Sequence, residues 1–190
     1  MKQRIMAALL LSMAVLTPGL PARAADFQSH GYLLASFGEA DTHFRTSVTD
    51  EINGDDDAYE IGVGFAFSPY LSVEGSYQDF GKPFGYAGCP IDVFCIAVVP
   101  FSREKVSVDG WSAALRGALP ITETLSVFGR LGFLAWDASA SGQGLNDSGT
   151  DLLYGAGIAA DFNRRFGVQL SYEKADVGIE MVKLGARLGF

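Results

Sequence analysis

Little in this sequence suits a soluble enzyme or a nucleic-acid binder. Only 19% of its residues are charged, and acidic residues outnumber basic ones, leaving a formal net charge of −8. A chain of that sign lacks the basic surface on which phosphate-backbone binding depends, so no nucleic-acid partner is expected. Histidine occurs only twice, which leaves few candidate general bases. Proline is sparse, 7 residues against 23 glycines, while 48% of the chain is hydrophobic. That balance is too apolar for disorder and too poor in charge for a coiled coil. Beyond Ala24 no long unbroken apolar run occurs, so no transmembrane helix, which needs about 20 such residues, is expected. At 190 residues the chain is long enough for one domain.

What is present begins with an export signal. Lys2 and Arg4 precede an apolar run, Ile5–Leu16, and Ala22-Arg23-Ala24 is a small-x-small cleavage site. Residues 1–24 therefore read as a cleaved signal peptide and 25–190 as a single exported domain. Cleavage removes three basic residues and makes the exported part more acidic still. Both cysteines, Cys89 and Cys95, lie in that part. An oxidising compartment favours a Cys89–Cys95 disulfide, with two free thiols as the alternative.

Helical periodicity is nearly absent and period two recurs along the chain. Eight alternating segments stand out: Gly31–Ala40, Ala58–Phe67, Tyr70–Phe80, Lys105–Leu119, Leu125–Trp136, Asp151–Phe162, Phe166–Glu173 and Ile179–Phe190. Tight connections (Ser68-Pro69, Pro120–Thr124, Asn163–Arg165) alternate with long ones (Asp41–Asp57, Gly81–Glu104, Asp137–Thr150), and Lys174–Gly178 is short. Eight strands of about ten residues, with turns at one end and loops at the other, predict an all-β fold. The expected architecture is an eight-stranded antiparallel up-and-down transmembrane β-barrel.

Parity assigns the faces. Tyr59, Ile61, Val63, Phe65 and Phe67 oppose Glu60, Gly62, Gly64 and Ala66; Leu71, Val73 and Tyr77 oppose Ser72, Glu74, Ser76 and Gln78. The polar face is rich in glycine and serine, as a narrow interior requires. The apolar face ends in aromatic residues at both edges. Tyr59, Tyr77, Trp111, Tyr154 and Tyr172 stand near the long loops, and Phe67, Phe162, Phe166 and Phe190 near the tight turns. From Tyr59 to Phe67 the strand climbs roughly 20 Å at ~40° tilt, close to the ~25 Å apolar band of an outer membrane. Rings at both edges fit the membrane interfaces. A soluble barrel turned inside out would gain nothing from such girdles.

Four stretches carry a family resemblance: FSPYLSVEGSYQDFG (Phe67–Gly81), RGALPITETLSVFGRLGFLAWDA (Arg116–Ala138), YGAGIAADF (Tyr154–Phe162) and GVQLSYE (Gly167–Glu173). Together they resemble the transmembrane domain of the OmpA family of Gram-negative outer-membrane proteins. The resemblance implies a cell outer-membrane location. It also implies contact with membrane lipid and lipopolysaccharide, and handling by the barrel-assembly machinery, for which the terminal Phe190 resembles the recognition signal. No cofactor or metal is implied, and the chain is expected to be a monomer. The peptidoglycan-binding domain of many relatives has no counterpart in this sequence.

On the inward parity, Glu74, Arg116 and Arg130 fall within a few residues of a tight turn, and Gln169, Lys183 and Arg187 extend the set. A buried carboxylate needs a partner, and an arginine supplies two hydrogen bonds at once. The expectation is either a static polar plug or a gate in which a carboxylate exchanges cations. Relatives place such a switch at positions matching Glu74 and Arg116; their other two partners fall at Ala159 and Gln169, where this chain carries no charge.

The connections hold the partner-specific chemistry of such a barrel. The first is acidic (Asp50, Glu51, Asp55, Asp56, Asp57), but DEINGDDD departs from the EF-hand ligand order. The second, CPIDVFCIAVVPF, is apolar and reads as a contact site for an extracellular ligand or as a cover for the barrel mouth. Lipid A-modifying barrels use a histidine with a serine and an acid. His43 with Ser47 and Asp50 is the one candidate here, without a His-x-Ser motif. The chain is therefore expected to be no enzyme. Its expected role is structural or adhesive at the cell surface, with a narrow gated pore as the alternative.

Overall fold

The computed structural model describes residues 27–44, 51–86, 103–140, 146–163 and 165–190. The expected signal peptide, residues 1–24, both cysteines and the apolar stretch Cys89–Phe101 lie outside the described residues. Every described element is a β-strand: β1 (His30–Phe44), β2 (Glu51–Ala66), β3 (Leu71–Asp79), β4 (Phe84–Tyr86), β5 (Arg103–Pro120), β6 (Leu125–Ala140), β7 (Asn146–Asp161), β8 (Phe166–Ala175) and β9 (Ile179–Gly189). Neighbouring strands pair antiparallel, β3 and β4 each with both β2 and β5, and β1 pairs with both β2 and β9, so the sheet closes on itself. Closure removes the free edges that hydrocarbon could not satisfy.

Nine segments make eight barrel strands, because β3 and the short β4 both lie between β2 and β5. The break between them is a bulge at Gly81, whose φ of 77° favours glycine. The Asp79 carboxylate accepts the Gly81 N–H at 2.8 Å, and the Val106 and Val108 amides still donate to Pro83 and Gly81. One device closes the three tight turns: a side-chain oxygen at the turn's start accepts two successive amides. Ser68 takes those of Tyr70 and Leu71, Thr122 those of Thr124 and Leu125, and Asn163 those of Arg165 and Phe166.

The strands run further into the loop end than the alternation of apolar residues suggests. The expected connections Asp41–Asp57 and Asp137–Thr150 are largely strand: β1 reaches Phe44, β2 starts at Glu51, and β6 and β7 reach Ala140 and Asn146; of Gly81–Glu104 only Phe84–Tyr86 and the start of β5 are described as strand. His43 and Asp55–Asp57 accordingly stand on paired strands rather than in a loop. The physical reason is an inversion of phase. Across the membrane-sized band, Ile61, Leu115, Leu131 and Phe133 point outward and are more than half exposed. Beyond the girdle the apolar residues move to the inside: Val106, Val108, Leu134, Trp136, Leu153, Ile179 and Met181 are buried, while Glu39, Asp57, Asp137 and Thr150 are exposed. Period two continues, but its sense reverses where lipid gives way to water. The loop half of the barrel is thus filled like a soluble core, with Phe80 fully buried in it.

Candidate functional site

Beneath that apolar core lies a layer of buried charge. Glu60 on β2, Glu74 on β3, Arg116 on β5, Arg130 on β6, Glu173 on β8 and Lys183 on β9 all turn inward and are buried. Three carboxylates face three cations, so the layer is formally neutral, as enclosure by hydrocarbon demands. Register brings them to one level: Ser72 pairs with Arg116, Arg116 with Arg130, Arg130 with Gly155, and Gly155 with Glu173.

Arg130 is the hub. Its Nη1 lies 2.8 Å from Glu60 and donates to both oxygens of Glu173 at 2.9 and 3.1 Å; its Nε lies 3.0 Å from Glu74. Lys183 donates to Glu60 at 2.6 Å and to Glu173 at 3.0 Å. Ser76 donates to Glu60 at 2.6 Å, and the Tyr32 hydroxyl donates to Glu74 at the same distance. A planar guanidinium with five donors can hold three carboxylates at once where a lysine could not.

Of the residues singled out from sequence, Glu74 and Arg130 meet directly. Arg116 stays 3.8 Å from Glu74 and has its guanidinium carbon over the Phe128 ring, 4.1 Å from the centroid. Gln169 is buried beside Ala159 with its oxygen unpartnered, outside the charged layer. Arg187 does not join the layer either; it pairs with Asp161 at 2.6 Å near the tight-turn end. Sequence reasoning missed Glu60, Glu173 and Tyr32 as members. Glu60 stands on the inward parity and Glu173 follows the outward Tyr172, so parity with charge balance against Arg130 and Lys183 was the signal that would have added them. Tyr32 fits because it faces Gly64: a Cβ there would stand 2.2 Å from the ring.

On the outer face, Tyr59, Trp111, Tyr154 and Tyr172 are exposed at the loop side, with Tyr77 half-buried, edge-on to Trp111 at 5.3 Å. At the turn side Phe67, Phe162 and Phe166 are exposed, and the latter two rings stack at 6.0 Å. Phe190 donates its N–H to the Gly31 carbonyl at 2.9 Å and lays its ring where a Gly31 Cβ would be. Above the loop-side girdle, Lys174 donates to Glu180, which holds that carboxyl below its ordinary value and the ammonium above its own. His43 pairs with Asp41 at 2.7 Å, largely in solvent. Ser47 and Asp50 lie outside the described residues, and among those described no serine bonds to His43. Among the described residues no group of three or more His, Cys, Asp and Glu is placed to hold a metal ion.

The profile of the outer membrane protein β-barrel domain family matches residues 7–186. No curated protein matches the chain at the sequence level. Among solved structures, Neisserial surface protein A (NspA) is similar with a TM-score of 0.60 at 12% identity, covering 86% of this chain and 100% of that one. The N-terminal β-barrel domain of Pseudomonas aeruginosa OprF gives a TM-score of 0.53 at 15% identity, covering 86% and 100%. Ail, the attachment invasion locus protein of Yersinia pestis, solved with the heparin analogue sucrose octasulfate, gives 0.51 at 23% identity, covering 84% and 99%.

Proposed function

The chain belongs to the outer membrane protein β-barrel domain family, and from that membership we propose that it acts at the cell surface through its loop end, as an anchor for contacts and for envelope integrity. It is an integral protein of the outer membrane, its apolar flank in contact with membrane lipid.

One observation carries the proposal. The lumen is filled twice, by the Glu60–Arg130–Glu173–Lys183 layer and by the apolar core above it. A barrel so filled is built to hold something up rather than to let something through. The same core stiffens strands that rise beyond the girdle and present a largely acidic rim, with Glu39, Asp41, Asp55, Asp57 and Asp137 exposed. Ail was solved with a sulfated ligand; an acidic rim calls for a different, cationic or uncharged, extracellular partner. Divalent ions shared with lipopolysaccharide would offset its charge. Recognition of Phe190 during assembly, a monomeric state and the absence of catalysis belong to this reading.

The pore alternative would need Glu74 to trade Arg130 for Arg116, and would still meet the apolar core. The test is to replace Cys89–Phe101 with a Gly/Ser linker and measure adhesion of expressing cells to host cells and matrix, with heat-modifiable gel migration as the folding control. Loss of adhesion by a folded barrel supports the proposal. Unchanged adhesion, or discrete conductance from the parent protein in planar bilayers, contradicts it.

A further inference from the structure

Within the charged layer one cation is held only loosely, Arg116 standing 3.8 Å from Glu74. Arg116 is 5% exposed, yet its Nε and Nη2 have no hydrogen-bond partner. Its nearest carboxylate is already committed: Glu74 takes the Tyr32 hydroxyl on one oxygen and lies 3.0 Å from Arg130 with the other. Arg187 flanks the same tyrosine, its guanidinium carbon 5.8 Å from the centroid of the Tyr32 ring. Its Nη2 is held by Asp161, but its Nε also lacks a partner. On the neighbouring wall, Ser36 and Gln169 both pair with Gly185 and both carry buried unpartnered oxygens. Buried donors left unmade are costly.

We infer that the turn-side half of the lumen is a binding site for a small anion held between Arg116 and Arg187. The free groups are donor-rich: two guanidinium edges, a hydroxyl that can rotate and an amide that can turn its NH₂ inward. An anion accepts from all of them. The charged layer and the apolar core close the lumen above, so the site opens only toward the periplasm. An eight-stranded barrel leaves room for little beyond its own side chains, which limits the ligand to a halide or a single oxyanion such as inorganic phosphate. Asp161 accepts from Nη2 of Arg187 at 2.6 Å, so that arginine is already fixed without the ligand.

The experiment uses the full mature chain folded in uncharged detergent, with arginine side chains labelled by nitrogen-15. Sodium chloride and inorganic phosphate are each titrated against sodium gluconate at matched ionic strength. The expected result is a saturable shift of the Arg116 and Arg187 Nε–H resonances with chloride or phosphate and none with gluconate. Arg116→Met and Arg187→Met should each abolish saturation at the remaining arginine, while Arg165→Met, on an exposed turn, leaves it intact. Heat-modifiable migration certifies that each variant is folded; if Arg116→Met does not fold, Arg187→Met alone decides. Shifts that grow linearly with salt and equally with gluconate would mean screening and bound water only, and would overturn the inference.

Discussion

Arg116 and Arg130 stand directly opposite each other on β5 and β6, and their guanidiniums meet opposite fates. Two like charges in register on neighbouring strands are unfavourable. The barrel resolves the conflict by sending Arg130 across the lumen to Glu60, Glu74 and Glu173, and by laying Arg116 on Phe128. Removing Arg130 strands three buried carboxylates, whereas removing Arg116 strands none. Arg130→Met should therefore lower stability by about 3–5 kcal/mol, the usual cost of breaking a buried ion pair, and Arg116→Met by about 1 kcal/mol. Urea unfolding from lipid vesicles measures both. Equal losses would show that Arg130 is no hub.

Gly64 and Tyr32 form a second coupled pair. A methyl at Gly64 would overlap the Tyr32 ring and push its hydroxyl off Glu74. Gly64→Ala should cost about 1–3 kcal/mol, as overpacking does, and much less in a Tyr32→Ala background. Additive losses in the double variant would contradict the packing.

The inversion of phase distinguishes the two halves of one strand. Leu134 is buried in the loop-side core and Leu131 faces outward. Leu134→Ala should cost about 2–5 kcal/mol, as in a soluble core. Leu131→Ala trades one lipid contact for another and should cost clearly less. If the two substitutions cost the same in an unfolding titration, the core above the girdle is not packed as described.

Most of the barrel was legible because lipid and lumen impose opposite demands on alternate residues, and parity alone therefore sorted Ile61, Val63 and Phe65 from Glu60, Gly62 and Gly64. The same rule stopped short beyond Ala40 and Trp136 and ahead of Ala58 and Asp151, where the strands continue. There an apolar residue marks the inside instead of the outside, and a reading that seeks lipid-facing residues ends the strand too soon. The interior network was half legible. Inward parity placed Glu74, Arg116 and Arg130, but which cation takes which carboxylate depends on side-chain reach across the lumen, which spacing along the chain does not encode. Gly64 beside Tyr32 shows the limit: a glycine in a strand announces close approach, not what approaches.

The Lys174–Glu180 pair lies above the loop-side girdle, outside the membrane band. Glu180 is held below its ordinary value by the hydrogen bond from Lys174, and Lys174 is held above its own by the same bond. A lowered carboxyl contributes only above the unfolded value and loses its contribution as pH falls; a raised ammonium contributes below the unfolded value and loses it as pH rises. Amide exchange in the β8–β9 hairpin, corrected for intrinsic rates, should accordingly be slowest between roughly pH 5 and pH 10. Glu180→Gln should flatten the acid limb. A profile unchanged by that substitution would remove the pair from the hairpin's stability.

The two tryptophans test the central claim, that the apolar flank meets lipid while the lumen is shut to it. Trp111 is 67% exposed on the outer girdle, and Trp136 is 7% exposed inside, its indole N–H on Asp151 at 2.6 Å. With Trp136→Phe and Trp111→Phe each leaving a single indole, fluorescence is read in vesicles of lipid brominated along the acyl chain. The account predicts strong quenching of Trp111 and little of Trp136. Strong quenching of Trp136, or none of Trp111 in a folded barrel, would contradict it.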